Sequence, residues 1–247
     1  MRPGLKNISH LSIAATAVFT ALVTVATVMF SVYVPATRGY FNIGETMVYT
    51  TALLLGPYIG AFAGGVGSML ADLILGYPLY APATLLIKAS EGAVVGILGR
   101  RLMKPRPEGR WKAYTTLLGV AVAILIAYIG STKYTGAVEA SLGLPSTGYT
   151  TLQLHLPAYF WAALACLAGA GVITVGVLRE PQLGASILST LIGGAVMVTG
   201  YFLYEWILFG PAAFVEVPVN LGQAIIGLIV ATPLVKAIWA RMPQLKR

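Results

Sequence analysis

The sequence predicts an all-α integral membrane protein with eight membrane segments. Three observations predict it. Of the 247 residues 57% are hydrophobic. Only 10% are charged, against roughly 25% in soluble domains. Apolar runs long enough for a bilayer recur between short basic loops, and the mean hydropathy is +0.82. The net charge of +8 does not point to nucleic acid, because Lys and Arg form no stripe with interleaved aromatics and lie mostly between or beyond the apolar runs. The single Cys166 excludes an internal disulfide and a cysteine metal cluster, and its apolar surroundings predict a small core residue.

Residues 11–34 are a 24-residue apolar run behind a tail carrying Arg2 and Lys6, sufficient to cross the hydrocarbon core and read as a retained first span rather than a signal peptide. Ala17 and Ala21 at i and i+4 form a small-residue strip on which another helix can lie closely, within this chain or outside it. Pro35 ends the span, and residues 36–44 are a loop with Arg38, Tyr40 and Asn42. Residues 45–56 reach about 18 Å as a helix before the Gly56-Pro57 break, too short to span alone, so this segment leans or stays covered by protein. Residues 58–75 return across with Gly60, Gly64, Gly67 and Ala71 on one stripe, which allows close backbone approach. Residues 83–103 follow a Gly/Pro-rich turn and end in Arg100, Arg101 and Lys104.

Beyond the basic loop 105–112, residues 113–130 and 157–178 are two more spans around the polar segment 131–156, expected as an external cap. Residues 184–209 and 218–240 complete the set, with Pro233 a kink site. With both termini cytoplasmic, thirteen of the sixteen Lys and Arg fall on the inner side. Only Arg38 and Lys133 then lie outside, and Lys88 lies within the membrane. Trp111 and Trp239 fall near the inner interface, Trp161 and Trp206 near the outer one.

Charges inside spans are costly and face a protein interior or cavity, which singles out Asp72, Lys88, Glu91 and Glu205. Counting along each helix places all four in the outer half of the membrane. Tyr201 and Glu205 share a helical face at i and i+4, Asn220 and Gln223 begin the last helix at the same level, and Asn42 and Glu45 belong to that side. These groups converge on an outward-facing pocket for a small polar molecule. Two alternatives stay open at this point. Asp72 with Lys88, or Lys88 with Glu91, can form structural ion pairs, and Tyr201 and Tyr204 can be interfacial anchors. His10 and His155 pair with no buried carboxylate, and no metallohydrolase, nucleophile-elbow or Walker A sequence is present, so the chain reads as a non-enzyme without cofactor or metal.

The chain resembles the substrate-binding subunit, or S component, of energy-coupling factor (ECF) vitamin transporters, in particular the riboflavin, pyridoxine and hydroxymethylpyrimidine branch. The residues that carry the resemblance are Gly39-Tyr40-Phe41-Asn42-Ile43-Gly44-Glu45, Leu55-Gly56-Pro57, Ala71-Asp72-Leu73, Tyr80-Ala81-Pro82-Ala83-Thr84, Ile87-Lys88, Gly200-Tyr201-Phe202 and Val217-Pro218-Val219-Asn220-Leu221-Gly222-Gln223. The resemblance implies a six-helix core, here residues 1–104 and 184–247 of a single membrane domain. The pair of helices and external loop within 105–183 are additional to it, and Glu45 stands where an aspartate is usual. It further implies capture of a water-soluble vitamin or precursor by loop 1 and helices 4 to 6 of the core, with Asn42, Glu45, Lys88, Glu91, Tyr201, Glu205, Asn220 and Gln223 as contacts. Asp72 is a site residue or an ion-pair member. Ala17 and Ala21 match the alanine pair that meets a transmembrane coupling protein, itself powered by two ATPases. The competing reading is a self-sufficient proton- or sodium-coupled transporter of a small polar solute, with Asp72 or Glu205 carrying the coupling proton. Either way the expected location is the cell membrane.

Overall fold

The computed structural model describes residues 10–34, 37–102, 108–133, 135–144, 148–177 and 181–245. The N-terminal Arg2 and Lys6, Pro35, the basic residues Lys104 and Arg106, Arg179, Lys246 and Arg247 lie outside the described residues.

The chain is mostly helical. In order it forms α1 (His10–Met29), β1 (Ser31–Val34), β2 (Gly39–Asn42), α2 (Glu45–Leu55), α3 (Pro57–Leu75), α4 (Ala81–Leu102), α5 (Glu108–Lys133), β3 (Gly136–Leu144), β4 (Gly148–Leu156), α6 (Ala158–Val177), α7 (Pro181–Phe209) and α8 (Ala213–Arg241), with a 3-10 turn at Gly210–Ala212 and another at Pro243–Leu245. Among the described residues five stretches are long and apolar enough to cross a membrane: Ser12–Met29, Pro57–Leu75, Ala81–Leu102, Lys112–Thr132 and Gly184–Arg241. The last contains both α7 and α8, and Ala158–Thr174 is a shorter apolar helix.

The sheet corrects the all-α expectation. The first helix stops at Met29, and Ser31–Val34 leave it as a strand that pairs antiparallel with Gly39–Asn42. Val32, Tyr33 and Val34 are β-branched or aromatic, and hydropathy alone cannot tell such a run from the end of a helix. Arg38 closes this hairpin with φ 55, a left-handed conformation. The expected external cap is a second hairpin, β3 with β4, whose β3 adds to the free side of β1 to give the order β2-β1-β3-β4.

Helix α2 is covered on nearly every side, with Val48 to Leu54 all buried, which resolves how so short a segment sits in an apolar environment. It ends at Gly56, whose φ of 87 suits glycine. Arg100 reaches back from α4, its Nη2 donating to the Leu55 carbonyl at 3.0 Å and so satisfying one orphan acceptor of the helix end. Pro57 starts α3 at a position where its missing N–H costs nothing. The glycine stripe is a packing device. A side chain at Gly60 would lie 2.7 Å from the Ala52 backbone, one at Gly64 3.0 Å from the Lys88 carbonyl, and one at Gly67 2.8 Å from the Thr20 carbonyl.

One apolar cluster joins Tyr49, Leu53, Val95, Ala231, Val235 and Trp239. Trp239, near the end of α8, is thereby buried in the core. Cys166 departs from expectation in the opposite sense and is exposed on the outside of α6. Helices α5 and α6 pack on each other where Gly119 and Gly169 cross, and meet α8 through Ile126, Ala165 and Ile225. Helix α8 begins five residues earlier than the expected 218, with Pro218 inside it, and this extension brings Glu216 into the bundle.

Candidate substrate-binding cleft

Six elements bring polar side chains to one narrow cleft. Each contribution follows the period of its element. Tyr40 and Asn42 alternate on one face of β2. Ser68 and Asp72 stand at i and i+4 on α3. Tyr80 precedes α4 and Thr84 and Lys88 continue its stripe, Tyr201 and Glu205 do the same on α7, and Glu216, Asn220 and Gln223 follow at i, i+4 and i+7 on α8. Thr27 and Gly39 complete the lining.

The cleft floor is an ion-paired layer. Lys88, 3% exposed, pairs with Glu45 at the start of α2, and its Nζ lies 3.2 Å from Glu91 Oε2 one helical turn on. Its ammonium also stands 5.6 Å from the Tyr201 ring centre. Glu45 and Glu91 therefore sit behind Lys88 and are buried, whereas Lys88 itself faces the cleft. Of the two pairings left open by the sequence, Lys88 with Glu91 forms and Lys88 with Asp72 does not. The Asp72 carboxylate accepts instead from the Tyr40 hydroxyl at 2.6 Å. Burial, and then the Asp72 charge, hold the Tyr40 phenol well above its ordinary pKa, so it remains a donor.

A second layer is neutral and amide-based. The Asn42 N–H donates to Gln223 Oε1 at 2.9 Å, Gln223 Nε2 donates to Asn220 Oδ1 at 2.8 Å, and Asn42 Oδ1 accepts from the Gly44 N–H at 2.8 Å, closing the turn into α2. Gln223 thus has both atoms of its amide engaged in joining β2 to α8.

At the third wall Glu205 and Glu216, 1% and 2% exposed, are electrostatic neighbours. Glu216 accepts from the Thr37 hydroxyl. Tyr80 donates to the Thr37 carbonyl at 2.8 Å, and burial raises its phenol pKa. Glu205 Oε2 has no hydrogen-bond partner among the described residues. Of the two tyrosines considered as interfacial anchors, Tyr201 is buried and donates to Thr84 Oγ1 at 3.0 Å, while Tyr204 donates to the Leu79 carbonyl in an exposed bond.

Of the residues expected at the site, Asn42, Asp72, Lys88, Tyr201, Glu205, Asn220 and Gln223 line this cleft and Glu45 and Glu91 support it. Glu216, Tyr40, Tyr80, Thr84 and Ser68 were not expected. The spacing of Glu216 ahead of Asn220 and Gln223 was the available signal, hidden by starting the last helix at Pro218. Ala17 and Ala21 lie elsewhere, exposed on α1 between Ile13, Val18, Leu22 and Val25, while Thr20, Val23 and Thr24 of the same helix pack against α3 at Gly67.

A 74-residue segment, 30% of this chain, is 53% identical to an uncharacterised protein from Pyrococcus woesei described as lying in a gap 3' region. The match spans about half (49%) of that relative's length. The family described as the ECF-type riboflavin transporter, S component, matches residues 7–148, which carry α1 to α5, the first three strands and the β2, α3 and α4 walls of the cleft. With more than half of its length matched, this multi-pass membrane chain belongs to the ECF-type riboflavin transporter S component family of transport proteins.

Proposed function

We propose that the chain captures a water-soluble vitamin or vitamin precursor in this cleft and carries it across the cell membrane as the S component of an ECF-type importer. The observation that carries the reading is the cleft itself, lined by polar groups from six elements inside an otherwise apolar bundle. Asn42, Lys88, Tyr201, Glu205, Asn220 and Gln223 contact the ligand, joined by Asp72, Tyr40 and Glu216, and Glu45 and Glu91 hold Lys88 in place. ATP hydrolysis belongs to two ATPase partners acting through a transmembrane coupling protein, which meets the exposed Ala17 and Ala21 strip of α1.

In this reading α1 to α4, α7 and α8 are the six-helix core, and α5, α6 and the β3–β4 hairpin are an insertion into one membrane domain. Arg100, Arg101, Lys236 and Arg241 lie at the helix ends opposite to the cleft. The positive-inside rule then puts the cleft outside and both termini in the cytoplasm.

The test is purification in mild detergent without added ligand, then denaturation and mass spectrometry of released small molecules. A stoichiometric flavin, pyridine or pyrimidine compound is the expected result. The buried carboxylates Asp72 and Glu205 favour a second reading, an ion-coupled transporter. It predicts uptake that a proton or sodium uncoupler abolishes and that loss of the ATPases leaves intact.

A further inference from the structure

The cleft concentrates acid in a basic protein. The chain has eight Asp and Glu against sixteen Lys and Arg. Five of those acids, Glu45, Asp72, Glu91, Glu205 and Glu216, line or back this one cleft, and Lys88 is the base on its wall. That base is already matched by Glu45 and Glu91. The remaining three carboxylates meet only neutral donors: Asp72 the Tyr40 hydroxyl, Glu216 the Thr37 hydroxyl. Tyr80, the neighbour of Glu205, donates to the Thr37 carbonyl, and Glu205 Oε2, like Asp72 Oδ2, is buried without a hydrogen-bond partner among the described residues.

A buried carboxylate stripped of water is stable only beside a cation, a set of donors or a proton. A ligand brings the first two at once if it is itself a cation carrying N–H groups. The other lining groups favour the same partner. Tyr40, Tyr80 and Tyr201 border the cleft, and tyrosine faces attract organic cations more strongly than neutral rings. The ordered amides do not compete for this role, since Gln223 is committed to Asn42 and Asn220.

We propose that the cleft selects an organic cation, a flat nitrogen heterocycle or ammonium compound whose positive charge and N–H donors are received by Glu205 and Glu216. The assignment rests on the vitamin-capture reading and narrows it to cations over neutral flavins and anionic vitamins. Glu205 is the direct acceptor, with its free oxygen, and Glu216 supplies the second charge. Asp72, turned to Tyr40, contributes at longer range.

The experiment is binding to the full-length protein in detergent, by calorimetry at pH 7, after removal of any ligand carried from the cell. The probes are thiamine and pyridoxamine as cations, riboflavin as an uncharged ring and pantothenate as an anion. One of the cations is expected to bind at least 100-fold more tightly than riboflavin and pantothenate. Glu205→Gln, nearly isosteric, should then weaken that cation at least 30-fold, and Glu216→Gln about 10-fold (about 1.4 kcal/mol). Unfolding temperature without ligand reports folding of each variant independently, and if Glu205→Gln does not fold, Glu216→Gln and the wild-type panel still decide.

Tighter binding of riboflavin or pantothenate than of either cation overturns the cation assignment and leaves vitamin capture standing. Full cation affinity in folded Glu205→Gln also overturns it, because the carboxylate would then be acting as a protonated, neutral group. Binding of neither cation overturns it as well. Vitamin capture itself falls separately, if protein isolated from cells carries no small molecule and does not co-purify with a coupling protein.

Discussion

Asn42 and Gln223 stand 181 positions apart in the chain and are joined by a 2.9 Å hydrogen bond from the Asn42 backbone N–H to the Gln223 side chain. This bond fastens β2, the loop-side wall of the cleft, to α8 at its far side. Both residues are buried, so the bond is shielded from competition with water. Gln223→Ala leaves the Asn42 N–H without an acceptor, and the expected cost is about 1–3 kcal/mol of stability. Urea or thermal unfolding of the purified variant measures it, and an unchanged midpoint would show that β2 is held by other contacts.

Lys88 is the keystone of the ionic layer. Lys88→Met leaves Glu45 and Glu91 facing each other in a buried site, with an expected loss of about 3–5 kcal/mol. The triple variant Lys88→Met, Glu45→Gln, Glu91→Gln removes all three charges and should recover most of that loss. Equal instability of single and triple variants would mean that the side chains act through packing rather than charge.

The α3–α4 contact tolerates no side chain at its crossing points. A Cβ at Gly96 would lie 2.5 Å from the Pro57 nitrogen, a backbone atom that cannot rotate away. Gly96→Val is expected to destabilise by about 1–3 kcal/mol or to abolish insertion of folded protein. Gly171, with open space around its would-be Cβ, is the control, and Gly171→Ala should unfold within about 0.5 kcal/mol of the parent.

On α1, Ala17→Trp and Ala21→Trp add bulk to an exposed face of the helix. Ligand affinity and unfolding temperature should stay at parental values, while co-purification with the coupling protein should fall at least tenfold. Parental complex formation in both variants would assign the strip to contact with lipid.

Much of the helical architecture was legible because lipid imposes a simple rule: long apolar runs are helices, and glycines on one stripe mark contacts. The break at Gly56-Pro57 and the convergence of α3, α4, α7 and β2 on one level followed from counting residues. The sheet was not legible, because Val32 to Val34 are as apolar as the helix before them and their partner strands are local in one case and more than 100 residues away in the other. Glu216 was hidden by the habit of starting a helix at proline, whereas Pro218 is accommodated near the start of α8. The ionic partners of Lys88 were half legible: Glu91 follows from i and i+3 spacing, but Glu45 depends on how α2 lies against α4, which spacing does not encode.

The place of β1 inside the sheet makes β3 the cover of one of its two edges. One side of β1 is paired with β2 and the other with β3, so neither row of its backbone groups is left open. A chain shortened by residues 105–183 would keep all the walls of the cleft but bare the β3 side of β1, a ready template for another chain. Such a truncated protein would be limited by self-association at the membrane surface before it was limited by ligand affinity.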